Sequence, residues 1–152
     1  MKSKYLFVIA LIGSSVFVSP VKTNALDISR SCPKWETKIR QHKLPVREFS
    51  YIMWRESKCE PKAIGWNYKR GYGVGNCKRT VASVYKKCYA VASYDSGLLQ
   101  INSSWVTLTA EVCRSKWGDM TVLLNPECNL KVAAKLYFDG GGIRNWRGAS
   151  SK

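Results

Sequence analysis

The spacing of apolar and polar positions divides the chain into segments of different character. Ser31-Cys32-Pro33 followed by Glu36 predicts a helix from Pro33 to about His42, with Ser31 or Cys32 near the cap and the proline in the first turn. Leu44-Pro45 restarts the chain into a second helix that runs to about Ser57. At roughly 100° per residue, Phe49, Ile52, Met53 and Glu56 of that helix share a narrow arc, so a carboxylate stands on an apolar face near a helix end. From Gly65 to Tyr94 the helical pattern breaks. Gly65, Gly71, Gly73 and Gly75 punctuate it, and Thr80–Tyr85 and Cys88–Tyr94 have the Val, Thr and Tyr content of short strands. The stretch Ser93 to Trp105, SYDSGLLQINSSW, reads locally as a strand and turn. Asn125-Pro126 opens the last clear helix with a cap and a first-turn proline, and Gly140-Gly141-Gly142 stops it. Along it Leu130, Ala133, Ala134, Tyr137 and Phe138 form one apolar stripe.

The N-terminus has a different rhythm. Met1 to Lys4 is basic, Tyr5 to Val18 is apolar apart from Gly13, Ser14 and Ser15, and Thr23-Asn24-Ala25 offers a small-residue cleavage site. The expectation is a signal peptide over 1–25 and a single working domain over 26–152, secreted or periplasmic. An uncleaved membrane anchor is the rival, but the apolar run is short against the roughly 20 residues that a bilayer span needs. Cysteine usage suits an oxidising compartment: Cys32, Cys59, Cys77, Cys88, Cys113 and Cys128 are an even set with no C-x-x-C pair. Sequence alone does not choose among their pairings. Short loops favour Cys77 with Cys88 and Cys113 with Cys128, which leaves Cys32 with Cys59. Zinc is poorly supplied, since His42 is the only histidine and the cysteine spacings match no zinc finger. Neither a metal nor a cofactor is expected.

The whole chain has a formal charge of +15. Loss of Lys2, Lys4 and Lys22 with the leader leaves 22 basic against 10 acidic side chains, a net +12. Such a field concentrates a protein at polyanions, and an exported protein meets anionic cell-wall polymers. No basic helix or binding motif points to a specific nucleic acid. A membrane role arises if the leader is retained, or if the domain is itself a cationic membrane-active protein. A serine or cysteine hydrolase would need a base, and His42 sits in a polar linker with no Gly-x-Ser-x-Gly motif in the chain.

Glu56 is the residue whose placement first suggests chemistry. An ionised carboxylate on an apolar face is costly, and a group held there suits proton donation to a substrate. A pairing of Glu56 with Arg55, Lys58 or another cation is the alternative on the helix pattern alone.

WRESKCEPKAI (54–64), DSGLLQINSSW (95–105) and NPECNLKVAAKLY (125–137), in this order, resemble the lysozyme-like superfamily, and within it the small secreted transglycosylase SLT-domain proteins of bacteria and their phages. The likeness runs from about Cys32 to Trp146. It implies an α+β fold, mainly α, with a small β region, a cleft and disulfide stabilisation. It also implies an enzyme that cuts peptidoglycan between N-acetylmuramic acid and N-acetylglucosamine, as a lytic transglycosylase or a lysozyme, and that works as a monomer on glycan strands. Carried over, Glu56 is the acid that protonates the glycosidic oxygen and Ser57 the serine beside it. Gly97 permits a tight backbone approach, and Gln100 and Asn102 are substrate contacts. Tyr137 is directed toward the glutamate or packs in the core; Trp105 stacks on a sugar or packs in the core. Asp95 stands two residues before the motif's glycine, as an aspartate does in animal-type lysozymes. At roughly 5 Å from Glu56 it would suit a retaining hydrolase, and at about 6.5–9.5 Å an inverting one. As a turn former it would leave Glu56 working alone, as in a transglycosylase. The segment between Glu56 and Asp95, with Lys69, Arg70, Lys78, Arg79, Lys86, Lys87 and the expected Cys77–Cys88 bridge, reads as a basic flap for anionic wall polymer or as a solvated hairpin. A relative that binds glycan without cutting it would share this composition.

Overall fold

A computed structural model describes residues 29–73 and 90–146. The expected leader, the strand over Thr80–Tyr85, the Cys77–Cys88 bridge and the flap cations Lys78, Arg79, Lys86 and Lys87 lie outside the described residues. Helix α1 is Pro33–Gln41 and α2 is Val46–Ser57; strands β1 (Ile64–Tyr68), β2 (Val91–Ser96) and β3 (Ile101–Asn102) follow, then α3 (Val106–Cys113) and α4 (Pro126–Asp139). Short 3₁₀ turns cover Ser103–Trp105, Met120–Leu124 and Gly142–Trp146. The architecture is α+β and mainly helical, the lysozyme-like class expected from the sequence. Among the described residues no helix is long and apolar enough to cross a membrane.

Helix α1 begins without a side-chain cap, as Cys32 takes the cap position and Pro33 the first turn. The Cys32 N–H donates to Ser50 Oγ (2.8 Å), whose hydroxyl donates to Glu36 Oε1 (3.1 Å), so a serine of α2 ties the cap residue's own N–H to the first turn of α1. Helix α2 stops because Lys58 and Cys59 take left-handed conformations (φ 54° and 65°). That reversal brings Cys59 back to Cys32, and the two form a disulfide; Cys113 and Cys128 form a second, joining α3 to α4. Phe49, Met53, Leu98, Leu99, Leu123 and Leu130 are fully buried at the centre. The Phe49 ring meets Tyr137 and Trp146 edge-on at 5.4 and 5.1 Å. Of the predicted α4 stripe, Leu130 and Ala133 are buried, whereas Phe138 is more than half exposed.

The sheet is antiparallel in the order β1-β2-β3. The strand predicted over Cys88–Tyr94 is observed at Val91–Ser96. Register pairs Gly65 with Asp95, Asn67 with Ser93 and Asp95 with Asn102. Alternation then puts Gly65, Asn67, Ser93, Asp95 and Asn102 on one face and Trp66, Tyr94 and Ile101 on the other.

Candidate active site

A cleft of about 170 Å³ opens between the end of α2, the polar face of the sheet and the C-terminal 3₁₀ turn. Glu56 lines it from α2, Asp95, Gln100, Asn102 and Trp105 from the sheet side, and Trp146 from the C-terminal turn. Five residues nominated from the sequence thus meet in one place. The remaining three do not line this cavity. Ser57 is buried, and its hydroxyl donates to Met53 O (2.9 Å) within its own helix. Tyr137 packs edge-on against Phe49 and Phe138.

Gly97 is fully enclosed beneath the cleft. Its φ is +76°, and a Cβ there would stand 2.2 Å from Leu123 O and 2.4 Å from Asn129 Nδ2. Asn129 explains the closeness: fully buried, it donates to Ser96 O (2.8 Å) and Leu123 O (3.1 Å) and accepts from Leu99 N–H (3.0 Å). One α4 side chain therefore satisfies both ends of the turn that leads from β2 to β3. Gln100, at φ 47°, folds back on the same turn, and its amide donates to Ala63 O (3.1 Å) and Gly97 O (2.9 Å). Its N–H groups are engaged by backbone, so Oε1, which lies over Gly65, is the atom left to meet a ligand.

Glu56 lies in the last turn of α2, with a side chain only 15% exposed. The Arg55 partner considered from the sequence is in place, since Nε (2.9 Å) and Nη2 (2.5 Å) both donate to Glu56 Oε1. The guanidinium offsets the partial negative charge of the helix end and holds one carboxylate oxygen. Across the cleft Asp95 is held differently. Asn67 Nδ2 donates to its Oδ2 (2.8 Å) and Asn102 Nδ2 to its Oδ1 (2.7 Å), while both amides also reach Ser93 Oγ (3.1 and 3.2 Å). N–H donors on both oxygens fix the carboxylate plane and stabilise negative charge on it. Asn102 also caps the following 3₁₀ turn by accepting from Ser104 N–H (2.9 Å), which sets Trp105 at the cleft edge, 41% exposed.

Sequence reasoning missed Asn67, Asn129 and Trp146. Asn67 carried a signal, because strand alternation through Gly65 and Asn67 mirrors Ser93 and Asp95 once β1 is recognised. Asn129 and Trp146 act through backbone atoms distant in sequence, which leave no pattern to read. Among the described residues no group of three or more His, Cys, Asp or Glu side chains is placed to hold a metal ion.

A family model, the transglycosylase SLT domain, matches residues 33–139, and the chain belongs to that family. No match is found among curated proteins. Membership brings with it, at the level of the family, transglycosylase-type cleavage of peptidoglycan and binding of peptidoglycan as substrate.

Proposed function

We propose that this protein is a lytic transglycosylase that cuts peptidoglycan between N-acetylmuramic acid and N-acetylglucosamine, with Glu56 as acid and then base. The observation that supports it most is the position of Glu56, in the last turn of α2 with its side chain 15% exposed, in a cleft that Asp95, Asn102 and Trp105 also line. Glu56 protonates the glycosidic oxygen as the bond to the muramyl C1 breaks. The sugar's N-acetyl oxygen assists at C1. The muramyl 6-hydroxyl then gives its proton to the Glu56 carboxylate and closes on C1, which yields the anhydro product and restores the acid. In this scheme Asp95, fixed by Asn67 and Asn102, faces the positive charge that develops on the ring and acts through space. Trp105 stacks on a sugar face, and Gln100 Oε1 and Asn102 contact the glycan.

A second reading is a retaining lysozyme in which Asp95 attacks C1 and water completes hydrolysis. The position of Asp95 in the cleft wall favours it. Mass spectrometry of peptidoglycan digests separates the two: anhydro ends support the first and reducing ends the second. Glu56→Gln keeps the shape of the side chain and removes the proton, so turnover falls by at least about 10²–10⁴-fold under either reading. Clearance of peptidoglycan by Glu56→Gln at the parent rate would sink both and leave the cationic membrane-active alternative. The net charge and leader-like N-terminus support action outside the cytoplasm, at walls rich in anionic polymer.

A further inference from the structure

We infer that Arg55 and Trp146 form a strap that positions Glu56 and places its transferable proton on Oε2; the inference rests on Glu56 being the acid. Arg55 Nε and Nη2 both donate to Oε1, and the other Nη2 hydrogen reaches Trp146 O at 2.5 Å. An oxygen that accepts two guanidinium N–H groups has no lone pair left for a proton, so the proton that Glu56 delivers sits on Oε2. The guanidinium is thereby fastened at both ends, to the acid and to the C-terminal 3₁₀ turn.

Trp146 carries the connection to the opposite wall. Its indole N–H donates to Leu99 O (3.0 Å), in the turn that Asn129 holds from the other side through Leu99 N–H. Its ring is buried against Phe49 and lines the cleft. Glu56 and the Gly97–Gln100 turn, which come from different elements, are therefore spaced by one residue. Arg55 lies within the residues matched to the SLT domain, and Trp146 lies beyond position 139, where that match ends.

The strap also has an electrostatic consequence. When Oε2 gives up its proton, negative charge spreads over the carboxylate, and the guanidinium is already aligned on it. Arg55 acts through Glu56 and touches no reacting atom, which makes it a positioning residue. Loss of the strap frees the carboxylate to rotate, and a displacement near 1 Å costs on the order of 10²-fold in rate.

The test compares Arg55→Ala, Arg55→Lys and Trp146→Phe with Glu56→Gln on purified glycan strands, with thermal unfolding of each variant. Arg55→Ala is expected to lower kcat about 10²-fold with KM held within about twofold, the signature of an interaction that serves the transition state. The Arg55 side chain is 28% exposed, so an added guanidinium ion can enter its place. Millimolar guanidinium hydrochloride should restore a large part of kcat to Arg55→Ala and none to Glu56→Gln. Arg55→Lys should fall between, since an ammonium cannot span Oε1 and Trp146 O in the same fork. Trp146→Phe keeps the backbone carbonyl and drops the tie to Leu99, and should lose less. If Arg55→Ala retains parental kcat while Glu56→Gln is inactive, the strap is refuted and the acid assignment stands. Loss of kcat together with stability, without guanidinium rescue, makes Arg55 merely structural and likewise refutes it. An active Glu56→Gln removes the acid assignment itself, and the strap with it.

Discussion

Gly97→Ala is the single methyl addition expected to damage both fold and site. Two effects act at that position. The φ of +76° is left-handed, a conformation that costs an L-residue with a side chain about 1–2 kcal/mol. The added Cβ would also stand 2.2 Å from Leu123 O and 2.4 Å from Asn129 Nδ2, and neither atom has freedom to retreat. Leu123 O is backbone, and the Asn129 amide is fixed by its bonds to Ser96 O, Leu99 N–H and Leu123 O. Relief requires the turn and α4 to part by roughly 1 Å, enough to break at least one of those buried bonds at about 1–3 kcal/mol each. Together the loss is on the order of 2–5 kcal/mol, a large fraction of the roughly 5–15 kcal/mol that holds a domain folded. Urea unfolding followed by tryptophan fluorescence measures it. Gly118→Ala is the matched control: its φ is +89° and nothing lies within 4 Å of its Cβ, so only the conformational cost of about 1–2 kcal/mol applies. If Gly97→Ala is no less stable than Gly118→Ala, the argument from close approach to Asn129 is wrong.

Asp95→Asn should keep activity within about tenfold of the parent, roughly 1.4 kcal/mol of transition-state stabilisation, with anhydro ends retained; a collapse equal to that of Glu56→Gln, read by the same mass spectrometry, would instead support the two-carboxylate hydrolase. Trp105→Ala should raise KM about 5–10-fold through lost stacking, with little change in kcat or melting temperature because the ring is partly exposed. Glu127 supplies a pH test. Burial tends to raise its pKa, but the nearby His42, with Nε2 3.3 Å from Oε1, followed by Lys131 and Lys38, outweighs it and leaves the pKa below the ordinary value of 4.5. A lowered folded-state value means that the group stabilises the fold above its ordinary pKa and stops doing so as pH falls through the lowered one. The melting-temperature gap between parent and Glu127→Gln should therefore be open just above pH 4.5 and close as the pH drops; a gap that widens in acid would overturn this assignment.

Helices α1, α2 and α4 were legible because each announces its ends: Pro33 and Pro126 in first turns, Asn125 as a cap and the glycines after Asp139. Helix α3 was not. Its Val106-Thr107-Leu108-Thr109 start favours strand as much as helix, and it is held by tertiary means, with Thr109 fully buried and Cys113 tied to Cys128 on α4. Strand β1 was hidden because Gly65 reads as a breaker, whereas in the sheet it leaves room beside Asp95 and Gln100. The cleft residues Glu56, Asp95, Gln100, Asn102 and Trp105 were legible by residue type and motif. Arg55 was legible as a partner of Glu56, but the distant supports were not, because Arg55 reaches Trp146 across 91 positions and Asn129 reaches Leu99 across 30. Bonds to backbone atoms accept any residue type at the far end, so they impose no composition there.

The place where α2 ends decides where the acid stands. Ser57 returns its hydroxyl to Met53 O, Lys58 and Cys59 reverse the chain in left-handed conformations, and the Cys32–Cys59 disulfide fastens the reversal to the start of α1. Trp35 adds a further tie by donating its indole N–H to Cys59 O (3.1 Å). Glu56 consequently occupies the last turn, where the partial negative charge of the helix end makes negative charge unfavourable, and its immediate neighbour supplies the opposing cation. A further turn of helix would move that helix end away from Glu56 and carry Lys58 and Cys59 away from α1. The apolar arc of Phe49, Ile52 and Met53 aims the side chain, and the stop after Ser57 sets its depth. Chemistry at this site depends on helix termination as much as on the glutamate itself.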